Sequence, residues 1–567
     1  MNTQYLTFRQ FGTRIAIALC FLLLLNACET GNGSKESGSS TASRPRIKTT
    51  KGNHSKDMNT SATKSEADKK TMDAVDNNTD TPSPEENPAP NTDTTMVAPE
   101  TVPEVVENQF LTVKSEPLST FSIDVDNASY TLARKAINQG RLPYASGVRI
   151  EEFVNYFQYK YPQPSKKHPF AVNAEVAKCP WNPEHHLVHI GLQGKQLDNR
   201  KLVPSNLVFL IDVSGSMEAP DKLPLMRKAF KILVQNLREE DRVAIVVYAG
   251  NAGLVLPSTS GGNKRQIMEA LDRLSAGGST AGGEGIRLAY KVAKENLIKE
   301  GNNRIILATD GDFNVGESSD EAMQKLIEEK RKEGIFITAL GLGMGNYRDS
   351  KMEVIADKGN GNYYYIDNLN EANKVFGKDL KGTLFTIAKD VKIQVEFNPA
   401  LVKSYRLIGY ENRLLANQDF RDDTKDAGEI GAGHTVTALY EVALYSSPKT
   451  VQVDRSKIPA DFKASSFNSE QMMAVWLRYK KPAGNTGIEM THFIQSNNQS
   501  VDKTSENYRF SAAVASFAML LRNSQYKGNA TFESAIKLAK SAKGSDLNGY
   551  RAEFIDLVSK ASKIKAQ

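Results

Sequence analysis

Residues 207–216 read Leu-Val-Phe-Leu-Ile-Asp-Val-Ser-Gly-Ser, an apolar run that ends in an acid and two alternating hydroxyls. An apolar run without alternation indicates a strand that is buried on both faces, as in a parallel sheet. Similar short runs follow at 243–248, 305–308 and 335–340, with longer polar segments between them. Strands that alternate with helices predict a Rossmann-like, doubly wound α/β sheet, mainly parallel, within residues 203–385.

The segments between these strands carry the spacing of amphipathic helices. One opens with the capping-box pattern Ser318-Ser-Asp-Glu321 and is expected to stop at Gly334. Another places its apolar residues three and four positions apart, which predicts one buried face. That face consists of Leu223, Met226, Phe230, Leu233, Val234 and Leu237.

Oxygen-bearing side chains follow the ends of two predicted strands and fill a glycine-rich loop at 277–283. In open α/β sheets, ligands bind just outside the carboxyl ends of the strands, so these side chains should gather there. Hard divalent cations prefer oxygen ligands, and the set therefore predicts a metal site. For the first loop alone, a helix cap and turn is an equally good interpretation. The candidate ligands are Asp212, Ser214, Ser216, Thr280 and Asp310.

These residues resemble the metal-ion-dependent adhesion site (MIDAS) of von Willebrand factor A (VWA) domains. That site combines Asp-x-Ser-x-Ser, a threonine in a glycine-rich loop and a later aspartate at a strand end, and all five positions are filled here. The sequence around these residues, at 209–217, 277–283 and 308–315, is similar to one branch of the VWA proteins, the bacterial YfbK-type lipoproteins. The resemblance extends from about Phe110 to the C-terminus.

The resemblance implies that Mg²⁺ is bound directly by the hydroxyls of Ser214, Ser216 and Thr280, with Mn²⁺ or Ca²⁺ as alternatives. It also implies that Asp212 and Asp310 act largely through water. A cation held mainly by hydroxyls stays short of negative charge and keeps one position open. We therefore expect it to bind an Asp or Glu side chain of a protein partner.

The N-terminus has the layout of a signal peptide. Arg9 and Arg14 precede the apolar run 15–25, which is followed by Asn-Ala-Cys28. This arrangement looks like the lipobox of bacterial lipoproteins, in which Cys28 is acylated, although a plain secretory signal would have the same flanks. Since no later run is long enough to cross a bilayer, we expect attachment to the membrane through the N-terminal lipid only. The expected location is the bacterial cell envelope with a lipid anchor; the outer membrane, the periplasmic face and the surface face are all open as the precise place.

The pattern of the chain predicts six regions, each with its own composition. The alternating segments 170–192 and 391–442 match each other, so we expect strands on the two sides of the α/β domain to pair into one β-rich body with that domain inserted. The regions are a lipoprotein signal peptide at 1–28, a disordered tether at 29–107, an α+β region at 108–202, the VWA domain at 203–385, a β-rich region at 386–480 and a mainly helical region at 481–567.

Four weaker features predict structure rather than a second site. The histidines of 185–189 fit a surface strand, on which residues four apart lie about 13 Å from one another, too far to share a zinc ion. Gly341–Gly345 lacks full dinucleotide spacing and fits a strand-to-helix connection. The segment 123–129 imitates the metal loop only in part and fits a capped helix start. The acids of 421–426 fit a solvated loop, with calcium binding as an alternative.

Composition excludes some classes of function. The chain has 72 basic and 66 acidic residues, a balance of +6 over 567 residues that is too dilute for nucleic-acid binding. Cys179 would be the one unmodified cysteine of the mature chain, which leaves no intramolecular disulfide. No nucleophile–base pattern stands out, so we expect a binding or adhesion module rather than an enzyme. An envelope assembly scaffold and a channel-associated or enzymatic role are the alternatives; the sequence sets neither partner identity nor oligomeric state.

Overall fold

The computed structural model describes residues 106–123, 126–165, 167–198, 202–279, 282–311, 320–343 and 348–567. These belong to one compact unit of the chain, 94–567. Several predictions lie outside the described residues, namely acylation of Cys28, nearly all of the tether, metal ligation by Thr280 and helix capping by Ser318. Among the helices of the described ranges, none is both long and apolar enough to span a membrane.

The described ranges contain strands and helices in alternating blocks. The strands are β1 Leu111–Thr112, β2 Leu118–Ser122, β3 Phe170–Cys179, β4 Asn182–Gly194, β5 Ser205–Asp212, β6 Arg242–Tyr248, β7 Ala252–Ser260, β8 Asn302–Thr309, β9 Ile335–Gly341, β10 Tyr363–Tyr365, β11 Thr386–Phe397, β12 Val402–Ile408, β13 Gly428–Gly431, β14 Thr435–Leu444, β15 Gln471–Lys480 and β16 Ile488–Gln495. The helices are α1 Ala128–Asn138, α2 Ile150–Asn155, α3 Leu223–Asn236, α4 Lys264–Asp272, α5 Gly282–Glu295, α6 Asp320–Lys332, α7 Asp349–Lys358, α8 Leu369–Asn373, α9 Leu380–Leu384, α10 Glu506–Arg522, α11 Phe532–Ser541 and α12 Tyr550–Ala566.

The α/β domain is built on a six-stranded sheet with the order β10-β9-β8-β5-β6-β7. Strand β5 lies in the middle and pairs in parallel with β6 and β8. The pairs β8–β9 and β9–β10 are also parallel, and only the edge strand β7 runs antiparallel within this sheet. This confirms the predicted fold class, a doubly wound and mainly parallel sheet.

Strand β5 is apolar throughout because its two faces supply two different cores. Leu207, Phe209 and Ile211 pack into the core that contains α3, whereas Val208 and Leu210 pack into the core that contains α5. The predicted stripe of α3 is buried along its whole length. Its Phe230 stacks on Phe209 at a ring-centroid distance of 4.2 Å, so the helix is fixed directly beneath the strand that leads to the candidate metal site.

The segments before and after the α/β domain form one β-rich body, as predicted. Its first sheet has the order β1-β12-β14-β4-β3, and in it β4 pairs antiparallel with β14 although about 250 residues separate them. The second sheet has the order β13-β11-β15-β16, with β2 paired to β11. Residues of both sheets share one apolar core, for example Val188 and Val395. The α/β domain is thus an insertion between β4 and β11.

The C-terminal helices complete a fourth core. The predicted stripes of α10 and α12, including Phe510 and Phe554, pack against Phe153 of α2 and Tyr130 of α1. Strand β16 precedes these helices inside the region predicted to be mainly helical. Helices from before the α/β domain and helices from the C-terminal region therefore share one core.

The α/β domain contacts the rest of the molecule through buried charges. Arg134 of α1 is 1% exposed and donates to Asp367, which follows β10, at 2.5 and 2.8 Å. The same guanidinium donates to Glu371 of α8 at 2.8 Å and to Glu553 of α12 at 3.2 Å. A second contact joins Arg149, just before α2, to Asp349 of α7 at 2.6 Å.

Two minor predictions need correction. His185, His186 and His189 lie on strand β4, as expected, but the strand is not a surface strand. His186 and His189 are buried because both faces of β4 are covered: Leu187 belongs to the core of the C-terminal helices and Val188 to the core between the two sheets. Helix α1 does start at Ala128, yet its N-cap Asn127 makes no side-chain capping bond. The neighbouring Asp126 accepts the backbone N–H of Tyr363 instead, at 2.8 Å.

The acidic loop 421–426 is a loop, but its acids are tied to other elements. Asp423 accepts hydrogen bonds from Arg478 of β15 at 3.0 Å. Asp426 pairs with Arg331 of α6. These ion pairs join the loop to β15 of the β-rich body and to α6 of the α/β domain.

Candidate metal centre

Asp212 ends β5 and is completely buried. Its Oδ1 accepts the backbone N–H of Ser214 at 2.9 Å, which closes the first loop. Its Oδ2 accepts the hydroxyl of Thr309, the last residue of β8, at 3.0 Å. Burial raises the pKa of Asp212; hydrogen bonds from Ser214 and Thr309 oppose the rise, and the negative charge of Asp310 adds to it. A cation placed at this point would relieve that cost.

The two serines of the first loop face each other. Their Oγ atoms lie 3.1 Å apart, so Ser214 and Ser216 present two hydroxyl oxygens to one point. Ser214 is buried, whereas Ser216 is exposed. Met217, also buried, anchors the turn and donates its N–H to the carbonyl of Ser214 at 3.0 Å. The loop is therefore fixed from below and open to solvent at Ser216.

The glycine-rich loop is held against the first loop by backbone hydrogen bonds. Gly277 donates to the carbonyl of Val213 at 2.7 Å, and Gly215 donates to the carbonyl of Gly278 at 3.0 Å. Gly278 has a φ of +83°, a left-handed conformation that glycine adopts without steric cost. Thr280, two residues further on, lies outside the described residues.

Asp310 follows β8 and is 7% exposed. It lies beside the first loop, since the neighbouring Thr309 donates to Asp212 and the charge of Asp310 acts on Asp212. The structure thus brings Asp212, Ser214, Ser216 and Asp310 to one edge of the sheet.

Lys222 is a member of this site that the sequence analysis missed. Its Nζ donates to Oδ2 of Asp310 at 2.7 Å and to the carbonyl of Ser216 at 2.9 Å. A lysine six residues after Ser216 belongs to no recognised motif, so no sequence signal pointed to it. The lysine stem passes beside Gly343, which follows β9.

Tyr248 supports the site from below and was also missed. It ends β6, is completely buried and accepts the N–H of Val213 on its carbonyl oxygen at 3.0 Å. Burial, followed by the charge of Asp212, raises the pKa of its phenol far above the ordinary value. Helix α5 approaches the ring closely at Gly285, where a Cβ atom would lie 2.8 Å from the tyrosine side chain.

The donor set is suited to a hard cation. It offers carboxylates, hydroxyls and carbonyls, the oxygen ligands of Mg²⁺, Mn²⁺ and Ca²⁺, and no sulfur or imidazole. Across the described ranges, no group of three or more His, Cys, Asp or Glu is arranged to hold a metal. The candidate site has only two such residues, Asp212 and Asp310, because hydroxyl groups would supply its other ligands.

Comparisons with known proteins agree with this architecture. The family described as von Willebrand factor type A domain matches residues 206–378, and the one described as uncharacterized protein YfbK, C-terminal, matches 382–564. A further match, described as von Willebrand factor, covers 97–189. The protein YfbK of Escherichia coli K12 is 43% identical over 460 residues, which are 80% of this chain and 79% of that protein. The chain belongs to the YfbK family.

Solved structures also align with this YfbK-family chain. A von Willebrand factor type A structure from Catenulispora acidiphila aligns with a TM-score of 0.37 and 15% identity, over 69% of this chain and 91% of that one. Proximal thread matrix protein 1 from the mussel byssus, solved with a zinc-occupied MIDAS motif, aligns with a TM-score of 0.26 and 22% identity. That alignment covers 36% of the YfbK-family chain and 46% of the mussel protein.

Proposed function

We propose that this YfbK-family protein binds an acidic group of a protein partner through a divalent metal at a MIDAS-type site. The proposed ligands are Ser214, Ser216 and Thr280, with Asp212 and Asp310 acting largely through water. The observation that carries the proposal is the convergence of two carboxylates and two facing hydroxyls at the carboxyl edge of the sheet, with Ser216 open to solvent.

The residues that are present fit a hard cation. The ammonium group of Lys222 already lies against Asp310 and the carbonyl of Ser216, which indicates that positive charge is favoured at this point. The buried carboxylate of Asp212 would gain further from a neighbouring cation, since burial and Asp310 both disfavour its charge. Mg²⁺ suits a compact set of hydroxyl and water ligands; Mn²⁺ and Ca²⁺ are the alternatives.

When bound, the metal would supply an electrophilic position for a carboxylate from another protein. The chain's own residues would hold it there: Asp212 and Thr309 fix the first loop to the neighbouring strand, and the glycine-rich loop backs it through Gly277. Because these groups orient loops rather than activate a nucleophile, we propose a binding module and not an enzyme. We further propose an envelope location with acylation at Cys28.

Metal binding is tested with the purified protein and the variant Asp310→Ala. Isothermal titration with Mn²⁺ should show one site in the wild type and at least a tenfold weaker one in the variant, since a coordinating or water-bridging carboxylate is lost. The matched control is Asp556→Ala on α12, a carboxylate that is 62% exposed and pairs with Lys560; it should bind Mn²⁺ like the wild type. An unchanged affinity of Asp310→Ala would refute the site.

Partner binding is tested by capture from an envelope extract with the wild type and the same two variants. The wild type should retain a partner in Mg²⁺ and release it in EDTA, and Asp310→Ala should retain none. Capture that is insensitive to both EDTA and Asp310→Ala would mean that recognition does not use the metal. If the captured protein is an assembly intermediate, the scaffold interpretation is favoured over adhesion.

A further inference from the structure

Lys222 forms an ion pair with Asp310 inside the candidate metal centre. Its ammonium group makes two hydrogen bonds there, at 2.7 Å to Asp310 and 2.9 Å to the Ser216 carbonyl. The side chains of Lys222 and Asp310 are only 12% and 6% exposed, so solvent screens their attraction less than it would at the surface. The lysine is therefore a component of the site.

The aliphatic stem of Lys222 is held in a fixed course. It passes over Gly343, where a Cβ atom would lie 2.3 Å from Cε and 2.7 Å from Cγ of the lysine. Gly343 also has a φ of +73°, which L side chains rarely adopt. The backbone conformation favours glycine at this point, and the absence of a side chain there leaves room for the lysine stem.

The charges at the site show what the lysine does. Asp212 and Asp310 contribute two negative charges and Lys222 one positive charge, so the set carries −1. A divalent cation changes the total to +1 and stands close to the ammonium group, which it repels. The metal and the ammonium group also draw on the same carboxylate, since Lys222 already bonds to Oδ2 of Asp310. The metal must therefore compete with Lys222.

We propose that Lys222 is an internal competitor for the divalent metal, bound to Asp310 when metal is absent and displaced toward solvent when it binds. This inference rests on the proposed function and adds its regulation. The lysine lowers metal affinity, and it keeps Asp310 neutralised when no metal is present.

The affinity test compares Mn²⁺ titrations of the wild type, Lys222→Met and Lys231→Met. Methionine keeps the apolar stem and removes the charge, so Lys222→Met should bind Mn²⁺ more tightly by a factor on the order of ten. Lys231 is the control: it lies on the same helix, about 13 Å further along by helical rise, and pairs with Asp272. Lys231→Met should leave the affinity unchanged.

The displacement test measures the reactivity of Lys222 toward acetic anhydride by mass spectrometry, without and with saturating Mn²⁺. Displacement should raise acetylation of Lys222 several-fold and leave Lys231 unchanged. Lys222→Met should also unfold at a lower temperature than the wild type in EDTA, and regain the difference in Mn²⁺. If Lys222→Met fails to fold, Lys222→Gln takes its place in the titration.

The outcomes separate this inference from the proposed function. If the wild type binds no Mn²⁺, both are wrong. If the wild type binds Mn²⁺ but removal of the Lys222 charge leaves the affinity unchanged or weaker, the site stands and the competition is wrong. Tighter binding without increased acetylation would equally overturn the displacement.

Discussion

Asp212 combines the bond of a turn cap with a second bond to another strand, at the position proposed for the metal site. Its Oδ1 accepts the N–H of Ser214, which is the local capping role that the first loop alone suggested. Its Oδ2 reaches a different strand and accepts from Thr309. A simple cap would need only the first bond. The second one fixes two strand ends relative to each other, and this is what a multi-loop metal site requires.

Residue types that usually lie at the surface were the least predictable from the sequence. The candidate ligand residues follow a known spacing and could be found, whereas Lys222 belongs to no pattern and becomes visible only when the fold brings it to Asp310. His189 was expected on a surface strand because its neighbours alternate. It is buried because other elements cover both faces of β4, and these elements come from residues far along the chain.

His189 should make stability depend on pH. It is completely buried, its Nε2 lies 2.9 Å from the hydroxyl of Tyr161, and burial lowers its pKa to about 4. The unfolded chain, with a pKa of about 6.5, binds protons that the folded histidine rejects. The stability that neutral His189 contributes is fully present above the unfolded pKa and is lost as the pH falls toward 4. The free energy of unfolding should be lower by about 2 kcal/mol at pH 5 than at pH 8.

The variant His189→Gln removes this titration and keeps a polar partner for Tyr161. Urea unfolding at pH 8 and pH 5 measures it, with pH 8 as the internal reference. The wild type should lose about 2 kcal/mol more than the variant between the two pH values. Equal losses would mean that His189 is protonated in the folded protein.

At the scale of elements, strands buried on both faces were predicted and the edge strands of the same sheet were not. Strand β5 reads as an unbroken apolar run because both of its faces meet helices. Strand β7 is half-exposed, mixes small and polar residues and contains Pro257. Proline is tolerated there because an edge strand leaves one row of N–H groups unpaired. Its sequence therefore resembles a loop.

The approach of α5 to β6 gives a prediction for Gly285→Ala. The added methyl would lie 2.8 Å from the Tyr248 side chain, and the ring has no room to move because it is completely buried. Alanine gains about 1 kcal/mol in helix propensity, but overpacking typically costs about 1–3 kcal/mol. We expect a net loss of stability. We also expect weaker Mn²⁺ binding, since the carbonyl of Tyr248 accepts the N–H of Val213 in the first loop.

Chemical unfolding and Mn²⁺ titration measure the two effects. The control is Gly147→Ala, where an added Cβ meets no atom within 4 Å and the backbone is not left-handed. That variant should match the wild type in both measurements. A Gly285→Ala protein of wild-type stability and affinity would show that α5 can shift without disturbing the site.

At the scale of the whole molecule, the matching alternation of distant segments predicted that their strands pair. No sequence pattern predicted how the α/β domain contacts the rest of the molecule. That contact uses Arg134, Asp367 and Glu371, residue types that a sequence pattern assigns to the surface. They are buried because each satisfies another's charge across two parts of the fold. Only the three-dimensional arrangement identifies them, since they come from α1, the turn after β10, and α8.

Arg134→Met should destabilise the molecule as a whole. Methionine keeps much of the volume but leaves the carboxylates of Asp367 and Glu371 buried without a cation, which typically costs about 3–5 kcal/mol. Since Arg134 joins α1 to the α/β domain and also bonds to Glu553 of α12, one cooperative urea transition should move to lower concentration. The control is Arg141→Met, an exposed residue bonded to Gln139, with no expected shift.

Adding Asp367→Asn and Glu371→Gln to Arg134→Met should recover most of the loss, because neutral amides can be buried without a counter-charge. A wild-type midpoint for Arg134→Met, or no recovery in the triple variant, would mean that the three parts are held together by apolar packing and not by these charges.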